Sequence, residues 1–303
     1  MSILRLAGKA LVRSGRVSSH VRRRNQRPWR IMHRRTLLLL PLGQPAWAAE
    51  PSVPAGPFVG LEQRIAAEHS DVQSVVVVRE NRLLFEYYKA GADSDALRPV
   101  ESVTKSVLST LVGTAIGGGS LASLDQSVPD LIARIAPLSD EVRELKLTFR
   151  HLLSMTAGFA PTGRVTRRQS DDPLFLLQRA RAAEAGALFH YDNHASNLLA
   201  SALELAIGQP LLKFARASLF EPLGVSAVEW EMGPNRHAYG ASGLWLRTRD
   251  MVRLGQLMLE RGSWQGSQLI PAPFVNAAVS PVTAGGPPVG LPYGYGWWTT
   301  SSS

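Results

Sequence analysis

Ser102-Val103-Thr104-Lys105 places a hydroxyl and an amine three residues apart at the start of an apolar run. On a helix that spacing stacks both side chains on one face. A serine hydroxyl is a weak nucleophile until a base takes its proton. A lysine can be that base where burial lowers the pKa of its ammonium. The positive end of the helix adds potential that favours the developing alkoxide. A second pair, Tyr191 and Asn193, falls in a turn-like segment just before another helical run. Loop positions at element ends are where groups that move protons usually sit. The chemistry these residues suggest together is acyl transfer to a serine. Each also has a plainer reading. Ser102 reads as a helix cap, Lys105 as a solvated lysine, Tyr191 as a core aromatic and Asn193 as a cap or turn residue. His190 and His194 lie four apart, but no third ligand accompanies them and no metal or cofactor is expected. His151 reads as a packed core histidine. Trp297 and Trp298 read as core, with one of them able to line a pocket.

The elements that must position these groups follow from periodicity. Apolar residues at 103, 107, 108, 111, 112, 115 and 116 predict a central helix, ended by Gly117-Gly118-Gly119. Gln73 to Ala90 reads as a hairpin, with Val75–Val78 as one strand and Glu80-Asn81 as the turn. Helices are expected at 60–69, 129–131, 150–157, 174–185, 195–207, 211–220 and 250–261, with Gly158, Gly208 and Gly262 as stops. Residues 161–173 read as an exposed polar loop. Tyr293-Gly294-Tyr295-Gly296-Trp297-Trp298 reads as an inner strand, with small residues where another backbone comes close.

The chain has 303 residues, 45% of them hydrophobic, enough for one large domain with a real core. Its formal charge of +9 is unevenly spread. Eleven basic residues and no acid fall in 1–35, which leaves 22 basic against 24 acidic residues in the rest. The globular part is near neutral, which argues against a nucleic-acid footprint. Met32-His33-Arg34-Arg35 followed by Leu37–Leu40 and Ala46-Trp47-Ala48 reads as an export signal of the general or twin-arginine type. On that reading 1–48 is a leader, translation starts at Met32, and 49–303 is one domain with a helical subdomain at about 120–240. The protein is then periplasmic or secreted, with a cytoplasmic location as the alternative. No later stretch reaches the roughly 18 apolar residues of a membrane span. There is no cysteine, so neither disulfides nor thiol chemistry enter.

Over about residues 58–298 the sequence resembles the serine β-lactamase and penicillin-binding protein superfamily. The likeness is to its class C-like branch, which includes esterases and 6-aminohexanoate-dimer hydrolase. Its carriers are Ser102–Lys105, Arg150-His151-Leu152-Leu153-Ser154-Met155-Thr156-Ala157-Gly158, Tyr191-Asp192-Asn193, Gly240-Ala241-Ser242-Gly243-Leu244 and Tyr293–Trp298. The resemblance implies an α/β (α+β) fold, an antiparallel sheet built from both chain ends and flanked by helices, plus a helical subdomain. It implies Ser102 as nucleophile, Lys105 and Tyr191 as the proton-transfer pair with the base left open between them, and Asn193 on a substrate amide or on Lys105. It implies the Ser102 N–H as half of an oxyanion hole. It also implies a Lys-Thr-Gly or His-x-Gly motif after Trp298, absent here, so the chain reads as C-terminally truncated, without the last strands and helix. The expected function is hydrolysis of a small amide, β-lactam, peptide or carboxylic ester through an acyl-enzyme. The alternative is an inactive relative that binds peptidoglycan or acyl ligands without turnover.

Overall fold

The computed structural model describes residues 56–162 and 171–300, which fall in two units, 56–89 and 90–300. In the first, helix α1 (Leu61–Glu68) precedes an antiparallel hairpin of β1 (Ser74–Arg79) and β2 (Arg82–Tyr88). The β-branched run Val75–Val78 favours a strand. Glu80 and Asn81, at φ 51° and 59°, form the two-residue turn whose twist matches the strands. Phe58 stacks on Phe85 at 5.4 Å.

In the second unit, β3 (Arg98–Pro99) leads to α2 (Val103–Gly117). Every residue from Val103 to Gly113 is buried, the polar Thr104, Lys105, Ser106, Ser109 and Thr110 included. Thr110 Oγ1 donates to the Ser106 carbonyl at 2.9 Å and Thr114 Oγ1 to that of Leu269 at 3.1 Å, while Ser109 Oγ has no partner among the described residues. Helices α3 (Val128–Ile132), α4 (Asp140–Arg143), α5 (Phe149–Leu153) and α6 (Pro173–Leu177) are short. The long α7 (Asn193–Ile207) follows, then α8 (Leu211–Ala215), which runs into a π-helical turn at Arg216–Phe220. Ser127, Ser139, Asp172 and Asp192 cap α3, α4, α6 and α7 by accepting backbone N–H bonds. Each such cap contributes about 1 kcal/mol. Leu108, Leu111 and Val112 of α2 and Leu198 and Leu203 of α7 are fully buried in one core. Burying each contributes about 1.5–3 kcal/mol.

Strands β4 (Glu229–Trp230) and β5 (Leu244–Leu246) join β3 in an antiparallel sheet ordered β3-β5-β4. Then come α9 (Thr248–Leu259), the hairpin β6 (Ser263–Trp264) and β7 (Ser267–Gln268), α10 (Ala272–Ala278), and the pair β8 (Thr283–Gly286) and β9 (Leu291–Tyr293). Gly113 lets α10 lie close on α2, since an added Cβ would stand 2.5 Å from Phe274 Cδ1. Among the described residues, no single helix is long and apolar enough to cross a membrane.

The expected mix of helices and antiparallel strands is present, the strands of the described residues falling in four small antiparallel sheets. The structure corrects four expectations. The 174–185 helix stops at Leu177, because the chain beyond it pairs across: Phe159 bridges Arg181, and Ala182 N–H reaches the Gly158 carbonyl. The helix near 150 ends at Leu153, before Met155 turns left-handed at φ 59°. The strand expected over 293–298 folds back, so that Tyr293 bridges Trp298. Asp171, expected in an exposed loop, is buried and accepts from the N–H groups of Asn235 and His237. The remainder of that loop, 163–170, and the leader 1–48 lie outside the described residues.

Candidate active site

Ser102 sits at the exposed mouth of α2, and its side chain caps nothing. The residue before it, Glu101, is held at φ 45°, a conformation that costs a non-glycine residue energy and marks functional turns. With the helix cap ruled out, the Ser102 hydroxyl faces two other groups. Lys105 Nζ donates to Ser102 Oγ at 3.2 Å, and Tyr191 shares a hydrogen bond with the same hydroxyl. The plain reading of Lys105 as a solvated lysine fails too, because it is 3% exposed. Its stem lies beside a cavity of about 10 Å³ walled by Leu108, Leu152, Leu153 and Leu199, room for at most about one water. That dry setting lowers the Lys105 ammonium pKa to about 7, against the opposing pull of the Asp192 and Glu101 carboxylates. Its other partners are the Ala241 carbonyl at 2.8 Å and the face of the Tyr191 ring, 4.8 Å from the centroid.

The Met155–Gly158 turn explains why Tyr191 lies here. Its backbone grips the segment that carries the tyrosine: Gly186 N–H donates to the Thr156 carbonyl at 2.7 Å, and His190 N–H to that of Met155 at 2.8 Å. Gly158, at φ 79°, has no room for a Cβ, which would overlap the Ala183 carbonyl oxygen. Just past the tyrosine, Asp192 accepts from His194 N–H at 2.8 Å and pairs with Arg179 at 2.6 Å, both side chains being buried. Burial raises the Tyr191 phenol above its ordinary pKa, with the Ser102 hydrogen bond pulling the other way.

Tyr293–Trp298 closes the other side. Ser106 Oγ donates to the Gly296 carbonyl at 2.5 Å, and Gly296 N–H to that of Leu153 at 3.0 Å. A Cβ on Gly296 would stand 2.8 Å from the Lys105 carbonyl oxygen, so the expected close backbone approach is present. Trp297 is buried, while the half-buried Trp298 stacks on Tyr191 with centroids 5.5 Å apart. Arg150 ties the motifs together with two bonds to Asp125, at 2.8 and 2.7 Å, and one to Tyr295 Oη at 2.7 Å.

Ser102, Lys105 and Tyr191 thus converge. Asn193 is exposed on the first turn of α7, and no hydrogen bond among the described residues ties it to Lys105. His151 is a helix cap instead of a core residue, its Nδ1 accepting from Thr148 N–H at 3.3 Å. His194 Nδ1 meets Thr162 Oγ1 at 3.3 Å, and no cluster able to hold a metal occurs among the described residues. The sequence reading missed Asn197, whose Oδ1 accepts from Ala241 N–H at 3.0 Å. Its signal is an asparagine in mid-helix, unfavourable there without a specific partner.

The chain is 23% identical over 256 residues to the 6-aminohexanoate-dimer hydrolase of Paenarthrobacter ureafaciens, covering 76% of this chain and 65% of that protein. Among solved structures it is similar to the octameric penicillin-binding protein homologue from Pyrococcus abyssi, at TM-score 0.62 and 16% identity over 78% of this chain and 64% of that one. It is also similar to EstCE1, a hydrolase with promiscuous acyltransferase activity, at TM-score 0.62 and 19% identity over 78% and 80% of the two chains. At such identities the structural likeness is one of fold. The family model described as Beta-lactamase matches residues 61–303, from α1 through every motif of the site. By that match, this chain belongs to the beta-lactamase family.

Proposed function

We propose that this chain is a serine hydrolase that cleaves a small carboxylic ester or amide through an acyl-enzyme on Ser102. The observation that carries the reading is an exposed hydroxyl 3.2 Å from a buried amine whose pKa is lowered to about 7. Neutral Lys105 takes the Ser102 proton as Oγ bonds to the substrate carbonyl carbon, and the carbonyl electrons move onto oxygen. The Ser102 N–H, which donates to no described residue, is free to bind that oxyanion. Collapse expels the alcohol or amine, which receives its proton from Lys105 by way of Tyr191. Water then attacks the ester by the same route in reverse. The raised pKa of Tyr191 keeps it protonated near neutrality, which favours Lys105 as the base and Tyr191 as the shuttle. Asn193, exposed at the mouth of α7, is available to a substrate amide.

The named relatives favour turnover over a binding-only role, being a dimer hydrolase and a hydrolase with acyltransferase activity. The test is hydrolysis of short-chain chromogenic esters and of a linear amide dimer. Ser102→Ala should abolish it and Lys105→Met should lower it about 10²–10⁴-fold. Undiminished hydrolysis by Ser102→Ala would place the chemistry elsewhere.

A further inference from the structure

Lys105 is aimed by a peptide unit that is itself held from behind. The 240–241 backbone lies directly on α7, where a Cβ at Gly240 would overlap the Ser196 carbonyl oxygen. One residue on, Ala241 uses both of its backbone groups. Its carbonyl accepts from Lys105 Nζ at 2.8 Å, and its N–H donates to Asn197 Oδ1 at 3.0 Å. The Asn197 residue is 8% exposed, so this acceptor has little competition from water. A neutral amine has two N–H bonds and one lone pair. An N–H committed to Ala241 restricts where the lone pair points, and Ser102 Oγ, 3.2 Å away, carries a proton within its reach.

We propose that Asn197 is a positioning residue for acyl transfer: it fixes the Ala241 peptide so that its carbonyl aims the Lys105 amine at Ser102. This rests on the reading of Lys105 as the base. The groups that face Lys105 are Ser102 and Glu101 at the head of α2, Tyr191 before α7, Asp192 with its partner Arg179, and the Ala241 carbonyl. Asn197 acts through one peptide bond, that of Ala241.

The test uses two variants of the full chain. Asn197→Leu removes the acceptor at similar size. Asn197→Asp keeps an oxygen in its place and adds a negative charge one peptide away from Nζ. Two readouts are taken: the NMR titration of the Lys105 Cε, and the pH dependence of Ser102 acylation by a fluorophosphonate. The chain has five lysines, and the Lys105 signal is the one missing from Lys105→Met. For Asn197→Leu we expect acylation slowed about 10- to 100-fold, as for a displaced reacting group, with a Lys105 midpoint moved away from about 7. For Asn197→Asp we expect a plateau near that of the parent, reached at higher pH, since the added charge favours the ammonium. A parent-like rate and midpoint in Asn197→Leu would overturn the proposal. If that variant does not fold, Asn197→Asp decides: an unmoved pH limb, or a loss of rate at every pH, would overturn it. The titration is read without substrate. If Ser102 proves unreactive, the hydrolase reading fails while the Lys105 midpoint still reports on Asn197.

Discussion

At the residue scale, the proposed mechanism has Lys105 set the pH behaviour. Lys105 carries its proton below about 7 and cannot then accept one from Ser102. Hydrolysis should therefore rise through about pH 7 and hold level above it, because Tyr191 titrates higher still. A rate that falls across that range would contradict Lys105 as base. The same shift has a consequence for stability. Lys105 titrates near 10.5 in the unfolded chain and near 7 when buried, so between these values the unfolded state binds more protons and stability rises with pH. The burial penalty is complete below about 7 and vanishes as pH approaches 10.5. Lys105→Met should thus gain most over the parent at low pH, and the advantage should shrink steadily toward alkaline pH in urea unfolding. An advantage that did not change with pH would mean that the lysine keeps its ordinary pKa. Asp192 offers a sharper break. Asp192→Asn strands the buried Arg179 guanidinium without its carboxylate, a loss of about 3–5 kcal/mol measurable by chemical denaturation.

At the element scale, the Met155–Gly158 turn is a cradle for the tyrosine. Gly158→Ala forces a Cβ onto the Ala183 carbonyl and strains a φ of 79°, so the turn must open. We expect a stability loss beyond about 1 kcal/mol and a drop in kcat/KM that Tyr191 shares, seen by comparing Gly158→Ala with Gly158→Ala/Tyr191→Phe. Fully additive losses would show that the turn does not act through Tyr191. The elements were legible in the sequence where local signals are strong. Glu80-Asn81 between two apolar runs announced the hairpin, and three glycines announced the end of α2. The nearness of Ser102 and Lys105 was legible because their spacing stacks them on one helix face, whereas Tyr191 was picked out by the family resemblance. The failures share a cause. Residues 178–185 have helical composition, but their backbone is recruited by Phe159 and Gly158 across the turn, a long-range demand that periodicity cannot carry. Asn197 was invisible for the same reason: its partner Ala241 lies 44 residues away.

At the scale of the whole molecule, charge and chemistry are kept apart. The excess of basic residues lies in 1–35, while the site residues belong to a body of nearly balanced charge. We propose that the basic stretch serves export; expression in a bacterial host should then yield a mature chain beginning at Ala49 or Glu50, and an exported product that retained residues 1–48 would refute it. The chain spans 65% of the length of the 6-aminohexanoate-dimer hydrolase it matches. The central proposal is that one serine, beside a buried lysine and a tyrosine, forms an ester. Intact-mass labelling of the purified full chain with a fluorophosphonate and, separately, a fluorescent penicillin measures that. A single adduct that maps to Ser102 and disappears in Ser102→Ala is the predicted result. A folded chain that takes no adduct, or one that takes it on another residue, would contradict it.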